Sequence, residues 1–169
     1  MINQEVIVNQ QLQERIHYDN PDFPLARFID EMDYFVDGEF LCHWHPEFEL
    51  AIILKGGIEY QVDQQVFRLH QGEGIFITSQ ALHSARQLIP GSIIFNIEFP
   101  ASLFHTIGTS FLYQNYFNPS SLKKMGSWKI LPENEEGSEI LERLMHIHSS
   151  DPDKYAYELL CMEDILHIW

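Results

Sequence analysis

Residues 38–56 read GEFLCHWHPEFELAIILKG, two β-type runs with ionisable side chains at their junction. Successive side chains of a strand point to opposite faces, so His43 and His45 share a face. Their Cα atoms would lie about 7 Å apart, near enough for two imidazoles to converge on one point. On the same straight strand, Glu49 would lie about 13 Å from His45. Glu49 therefore joins the histidines only if the chain turns after Pro46, and a proline favours such a turn.

A second stretch, residues 72–83, reads GEGIFITSQALH and ends at His83. Three imidazoles and one carboxylate are suitable ligands for a divalent first-row metal. The same four side chains also suit a polar pocket that binds a ligand or water through hydrogen bonds. Plain packing without a pocket is a third interpretation, and the residues alone leave all three open.

The spacing of these residues resembles the two motifs of the cupin family. Gly38, the two histidines of the His-x-His pair, Glu49 and Gly56 follow the first motif, and the glycine-to-histidine run of residues 72–83 follows the second. The run HWHPEFEL and the apolar strand after it are similar to the sensor domains of AraC-family transcription regulators. The resemblance is strong over residues 23–99. It departs from the second motif at Thr78 and Gln80, where a proline and a glycine are usual.

This resemblance implies a non-enzymatic domain that senses a small-molecule effector inside a β-barrel and contacts DNA only through a module absent from this chain. It implies that the effector binds at His43, His45, Glu49 and His83. The same four residues are the implied ligands of a divalent metal such as Zn, Ni, Fe or Mn, if one is bound. The alternative is a small metal-dependent cupin enzyme, a dioxygenase or an isomerase.

Many short apolar runs separated by turns occupy residues 23–100, and this pattern predicts a mainly β, cupin-type jelly-roll barrel. Residues 1–22 are predicted to form an N-terminal arm, with a short helix or a loose segment within it. The strands are predicted over 25–29, 34–36, 40–45, 48–54, 58–62, 66–69, 75–78, 82–86 and 92–99.

Residues 101–169 are predicted to form a linker and C-terminal helices. A short helix is expected over 110–117, a loop over 118–126, and a longer helix over 135–149, capped by Asn134. Asp151 and Pro152 predict the start of a last helix.

The last helix carries large apolar residues at steps of four and three, the spacing with which two helices pair along a seam. This pattern predicts a homodimer; a lid on the barrel of the same chain is the alternative. Because no helix-ending residue precedes the last position, the chain is expected to be a fragment of a longer protein. The predicted dimerisation residues are Tyr155, Leu159, Met162, Leu166 and Trp169.

The composition excludes several classes of function. Ten basic residues against twenty-five acidic ones give a net charge of -15, which opposes binding to nucleic-acid phosphates. The N-terminus lacks the pattern of a signal peptide and no stretch is long enough to span a membrane, so a cytoplasmic location is expected. Both cysteines, Cys42 and Cys161, are predicted to be buried rather than to form a disulfide framework.

Overall fold

The computed structural model describes residues 6–106, 111, 113–117 and 126–169. Nine strands in this part of the chain form two antiparallel sheets. They are β1 (Ala26–Glu31), β2 (Glu39–His43), β3 (Phe48–Lys55), β4 (Gly57–Val62), β5 (Gln65–His70), β6 (Gly74–Ile77), β7 (His83–Gln87), β8 (Ile93–Phe99) and β9 (Trp128–Ile130). Two α-helices follow, α1 (Glu135–Ser149) and α2 (Tyr157–Ile168).

The strand order confirms the predicted fold class. One sheet has the order β1-β8-β3-β6-β9 and the other β2-β7-β4-β5. Except for the hairpin of β4 and β5, consecutive strands from β1 to β8 alternate between the two sheets. Every pairing between neighbouring strands is antiparallel, as in a jelly roll. The protein is thus a mainly β, cupin-type barrel with C-terminal helices.

The five-stranded sheet has two different faces. Along β3, Phe48, Leu50 and Ile52 point outward to the helices, because successive side chains alternate between faces. Buried residues of α1 and α2 cover this outer face. The apolar surface that the sheet and the helices remove from water stabilises the folded chain. The helical residues buried against the sheet are Leu141, Leu144, Ile147, Cys161 and Ile165.

The inner face of the same sheet lines the barrel. Here Ala51 and Ile53 of β3 pack with apolar residues of the four-stranded sheet, such as Ile58. Toward the other end of β3 and β8, the inward positions are Glu49 and Glu98, both buried. The barrel interior therefore has an apolar end, which closes it, and a polar end.

The helix α1 lies where it was predicted, whereas α2 begins later than predicted. Residues 151–156 form turns, because the Asp151 carboxylate accepts a hydrogen bond from the Asp153 backbone N–H and Ala156 has a left-handed backbone (φ 64). The predicted start at Asp151 and Pro152 is therefore wrong, and Tyr155 precedes the helix. Within the last helix, the buried Asp164 accepts a hydrogen bond from Arg143 and ties α2 to α1.

Several smaller predictions are also corrected. Residues 34–36 are not a strand but lie across two 3-10 turns, Met32–Tyr34 and Val36–Gly38, since no strand pairs with them. The strand β1 continues through Asp30, which is buried and opposite Ile94, where a break was expected. Cys42 is exposed, since it does not share the inward direction of the next residue, while Cys161 is buried as predicted.

The segments around the barrel complete the fold. Residues 113–117 make one helical turn, while the rest of the helix predicted over 110–117 is described only at Phe111. Apart from Gly126, the loop predicted over 118–126 lies outside the described residues. None of the described helices has the length and apolar character needed to cross a membrane.

Candidate functional site

The four residues singled out by their spacing lie together at the polar end of the barrel. His43 ends β2, His83 begins β7 directly opposite it, and Glu49 lies on β3. His45 is not in the strand with His43 as predicted, because β2 ends at His43 and His45 lies in the connection to β3. The ring centroids of His43 and His83 are 4.2 Å apart, and those of His45 and His83 are 5.0 Å apart.

His43 is held by groups on both sides of its ring. Its Nδ1 lies 2.7 Å from the carbonyl oxygen of Leu41, and its Nε2 lies 3.2 Å from a carboxylate oxygen of Glu14. Burial, followed by the neighbouring charge of His83, lowers the pKa of His43 to about 4. The ring is consequently neutral at neutral pH and can accept a hydrogen bond or bind a metal through one nitrogen.

Glu49 lies between the other two histidines. One of its oxygens is 3.3 Å from Nε2 of His83 and 3.6 Å from Nε2 of His45. Burial alone would raise the pKa of Glu49, but the two imidazoles hold it below its ordinary range. Burial alone would likewise lower the pKa of His83, but the adjacent Glu49 carboxylate holds it above its ordinary value. Glu49 is therefore a carboxylate, and its negative charge favours a protonated His83.

The polar end contains further side chains that the sequence analysis missed. Glu98 lies directly opposite Glu49 in the β3–β8 pairing, and Asn96 hydrogen-bonds to the buried Asp30. Burial and the charge of Glu49 hold the pKa of Glu98 well above its ordinary range. Burial and the same carboxylate raise the pKa of Tyr60. One sequence signal could have found two of them, since Asn96 and Glu98 are polar residues two apart in an otherwise apolar strand.

The N-terminal arm closes the mouth of the barrel. Trp44 receives a backbone hydrogen bond from Glu14, donates one to Leu12, and donates a third from its indole N–H to the carbonyl of Gln11. The described part of the arm therefore contains no helix, and it brings Glu14 against His43. No local pattern in the arm indicates this contact, because it depends on how the arm docks.

A cleft of about 1200 Å³ is lined by residues of the arm together with Pro46 and Glu47 of the β2–β3 connection. Glu14 and Glu47 line this cleft, and they also contact the histidines, since Glu47 lies 3.6 Å from Nδ1 of His45. The Tyr18 hydroxyl donates a 2.5 Å hydrogen bond to Glu47. The cleft thus meets the buried polar end at two carboxylates, and its volume is somewhat above the roughly 300–1000 Å³ of typical small-molecule pockets.

Two groups of side chains at this end could hold a metal ion. The first is the histidine trio, His43, His45 and His83, and the second is His45 with Glu49 and Glu98. In each group the ligand atoms lie within 4.8 Å of one another. Neither ring nitrogen of His45 makes a hydrogen bond within the described chain, which leaves them available as ligands. The donors therefore fit a divalent first-row metal in chemical type and in spacing.

A protein family and a curated relative are similar to this chain in sequence. Residues 35–168 match the family described as AraC-like ligand binding domain. A curated relative, the uncharacterised HTH-type transcriptional regulator YdeC of Bacillus subtilis (strain 168), is 26% identical over 165 residues. That alignment covers 96% of this chain and 56% of YdeC. The chain thus spans about half the length of the curated relative that it matches.

Two solved structures have a similar architecture. The cupin domain of Cnp3 from Schizosaccharomyces pombe is 16% identical, with a TM-score of 0.44 over 56% of this chain and 70% of that chain. A cupin 2 conserved barrel domain protein from Salinispora arenicola CNS-205 is 14% identical, with a TM-score of 0.44 over 54% of this chain and 76% of that chain.

Proposed function

This chain belongs to the family of AraC-like ligand-binding domains, and from that premise we propose that it senses a small-molecule effector inside its barrel and pairs two copies of a transcription regulator. In this proposal the effector enters through the cleft under the N-terminal arm. It contacts His43, His45, Glu49 and His83. A module outside this chain binds the DNA, in line with the HTH-type name of the Bacillus relative.

One observation carries the effector-binding part of the proposal, namely the buried polar end of the barrel beneath an open cleft. Burying polar groups costs free energy, so a chain that only needed stability would fill this end with apolar side chains, as it does at the other end. His45 and Tyr60 both have buried polar atoms without a hydrogen bond in the described chain. A bound ligand that hydrogen-bonds to these atoms would offset that cost.

The dimerisation part of the proposal depends on the outward face of α2. Leu159 is 70% exposed, Leu160 is 50% exposed and Tyr155 lies in solvent just before the helix. Exposed apolar residues that lie side by side are typical of interaction sites. Two of the predicted dimerisation residues, Met162 and Trp169, pack instead against the core of their own chain, and the ring centroids of Trp169 and Phe48 are 5.1 Å apart. The proposed dimer surface is therefore Tyr155, Leu159, Leu160 and Leu166.

The strongly negative chain is suited to sensing rather than to DNA contact. With a net charge of -15, the isolated chain should not bind a duplex in a salt-sensitive way. A regulator of this kind works where the DNA is, so we propose a cytoplasmic location.

Thermal unfolding in the presence of candidate effectors tests the sensing function. The chain is screened against monosaccharides, amino acids and amines, and at least one compound is expected to raise the melting temperature in proportion to its concentration. His83→Gln, at the centre of the polar end, should abolish that shift. Arg68→Gln, on the exposed side of β5, should preserve it.

Two outcomes would contradict the proposal. A shift that survives His83→Gln would place the effector elsewhere on the protein. A panel in which no compound produces a shift that depends on His83 would remove the effector from this site.

A metal-dependent cupin enzyme is the second candidate, and the two groups of metal-ligand side chains favour it. In that case the three histidines and Glu49 would hold a divalent metal, which would supply Lewis-acid chemistry to a substrate carbonyl or hydroxyl. His43, with its neutral ring, would bind through a nitrogen, and Glu14 would orient that ring. Metal analysis of the purified chain, followed by an assay for consumption of any compound that binds, separates the two candidates.

A further inference from the structure

Glu49 and Glu98 form a pair of carboxyl groups in an unusual position. They are directly opposite each other on adjacent strands, both on the inner face of the barrel. Glu49 is 4% exposed and Glu98 is 1% exposed. Like charges directly opposite each other in a sheet destabilise it, and burial increases the cost. Such a pair is stabilised by a proton on one carboxyl group, by the charge of His83 beside Glu49, or by a bound cation.

The surroundings of the pair are also acidic. The charged groups that act most strongly on Glu98 are Glu49, Glu14, Glu47 and Asp30, all of them carboxylates. All four are buried. The buried polar and charged residues of the described chain include histidines but neither lysine nor arginine. The electrostatic potential at this point in the barrel therefore favours a cation.

Two further side chains point to an occupant at this place. His45 is 2% exposed, its Nε2 lies 3.6 Å from Glu49, and neither ring nitrogen makes a hydrogen bond within the described chain. The Tyr60 hydroxyl is buried beside the same carboxylates and also lacks a hydrogen-bond partner in that part of the chain. Buried polar groups in native proteins are nearly always satisfied, so the Tyr60 hydroxyl indicates a missing partner. The two nitrogens of His45 face carboxylate oxygens of Glu47 and Glu49 at 3.6 Å, longer than a hydrogen bond, so they are only weakly satisfied.

We propose that Glu98 is a metal ligand and that, together with Glu49 and His45, it holds a divalent cation at the polar end of the barrel. The ligand atoms of these three residues lie within 4.8 Å of one another, a spacing that one ion can bridge. Glu98 lies outside both sequence motifs, so it adds a second carboxylate to the set that the motifs supply. Two carboxylates and one imidazole form an oxygen-rich site, which suits Mn²⁺ or Fe²⁺ better than a three-histidine site does.

The proposed metal site does not require the chain to sense an effector, because the ion is held by the buried carboxylates and their geometry. The Glu98 carboxylate would neutralise half of the charge of a divalent ion and Glu49 the other half. The ion in turn would remove the repulsion between the two strands. Binding is therefore expected to stabilise the folded chain as well as to occupy the site.

Binding of Mn²⁺ to the chelator-treated chain tests this proposal. The free ion is followed by electron paramagnetic resonance and the heat of binding by calorimetry, with no effector present. We expect Glu98→Gln, which keeps the side-chain shape, to weaken Mn²⁺ binding about tenfold or more, the scale on which lost site residues act. Glu142→Gln, which removes a carboxylate on the exposed side of α1, is the matched control and should leave the Mn²⁺ affinity unchanged. His43→Gln is measured beside it, because it separates binding at the histidine trio from binding at the proposed ligands.

Three results would overturn the proposal. The first is a reversed pattern, in which His43→Gln weakens binding and Glu98→Gln does not; this would place the ion on the histidine trio. The second is a wild-type chain that fails to bind Mn²⁺ at millimolar concentration. In that case Glu49 and Glu98 would share a proton rather than a metal ion. The third result concerns Glu98→Asp, which is used if Glu98→Gln does not fold. This variant keeps the charge but withdraws the carboxylate by one methylene, so an unchanged affinity for Mn²⁺ would contradict the role of Glu98 as a ligand.

Discussion

The two faces of the five-stranded sheet differ completely although the same strands build them. On β8, Phe99 points outward to an aromatic cluster with Phe48, Phe104 and Trp169, while its neighbour Glu98 points into the barrel toward Glu49. Both residues are buried, so burial alone does not distinguish them. The outer face is dry and apolar, and the inner face at this end is ionisable.

This difference separates stability from function. The outer face gains free energy by removing aromatic surface from water and binding the helices to the barrel. Burial of the ionisable side chains at the inner polar end lowers the stability of the folded chain. Such side chains are usually found where binding or catalysis requires them. Changes on the outer face should therefore alter the free energy of unfolding, and changes on the inner face should alter binding and pH dependence.

The largest expected effect comes from the outer face. Phe99→Ala removes a fully buried ring and should lower the free energy of unfolding by about 3–5 kcal/mol. Urea unfolding followed by tryptophan fluorescence measures the change. Glu98→Gln, one residue away, is the matched control and should cost far less. If the two variants lost equal stability, the contrast between the faces would not hold.

A second contrast lies between the two faces of α2. Replacing the exposed Leu159 and Leu166 together with Glu should convert a dimer into a folded monomer, with unfolding free energy changed by about 1 kcal/mol or less. Ile165→Ala, on the buried face, should instead cost about 2–4 kcal/mol. Sedimentation reports the association state and thermal unfolding the stability. A wild-type chain that stays monomeric at high concentration would contradict the proposed dimer surface.

The pH dependence of stability should reveal the carboxyl pair without metal. The pKa of Glu98 is raised in the folded state, so the folded chain keeps this proton to a higher pH than the unfolded chain does. The protonated Glu98 therefore contributes its full share to the free energy of unfolding below the ordinary pKa of a glutamate. This share is lost as the pH rises through the raised pKa of the folded state. The melting temperature of the wild type, relative to that of Glu98→Gln, should thus fall between pH 5 and pH 8. Glu142→Gln, exposed on α1, should show no such trend.

The smallest expected effect concerns the arm at the barrel mouth. Trp44→Phe keeps an aromatic ring but removes the indole hydrogen bond to Gln11, worth about 1 kcal/mol. The arm should open more often and exchange its amide hydrogens faster, while the barrel keeps its melting temperature within a few degrees. Hydrogen exchange resolved by peptide measures the opening of the arm, and thermal unfolding measures the melting temperature. Equal acceleration in arm and barrel would show that the arm is part of the global folding unit.

The sequence motifs predicted the centre of the candidate site but not its surroundings. His43, His45, Glu49 and His83 could be found because their spacing along the chain is itself informative. Glu98 and Glu14 could not be found in the same way. Glu98 meets Glu49 only through the pairing of β3 with β8, and Glu14 meets His43 only because the arm docks on Trp44.

The last helix shows the same limit. Its four-three spacing predicted an apolar stripe, but spacing does not say which residues of the stripe are covered by the same chain. In the structure Trp169 is partly buried and packs against the core, whereas Leu159 is exposed. The predicted start of the helix at Pro152 was wrong, because Ala156 has a left-handed backbone and the helix begins only after it. No propensity rule predicts a left-handed alanine at this position.

What the sequence determined by itself was the class of fold and the histidine-carboxylate centre. Alternation of apolar residues, turn signals and motif spacing are local properties, and local sterics and burial act on them in any context. What only the tertiary structure decided was which charges meet inside the barrel and which apolar residues remain outside. Those outcomes depend on contacts between residues far apart in the chain, whose distances are set by strand register and helix docking rather than by any local pattern.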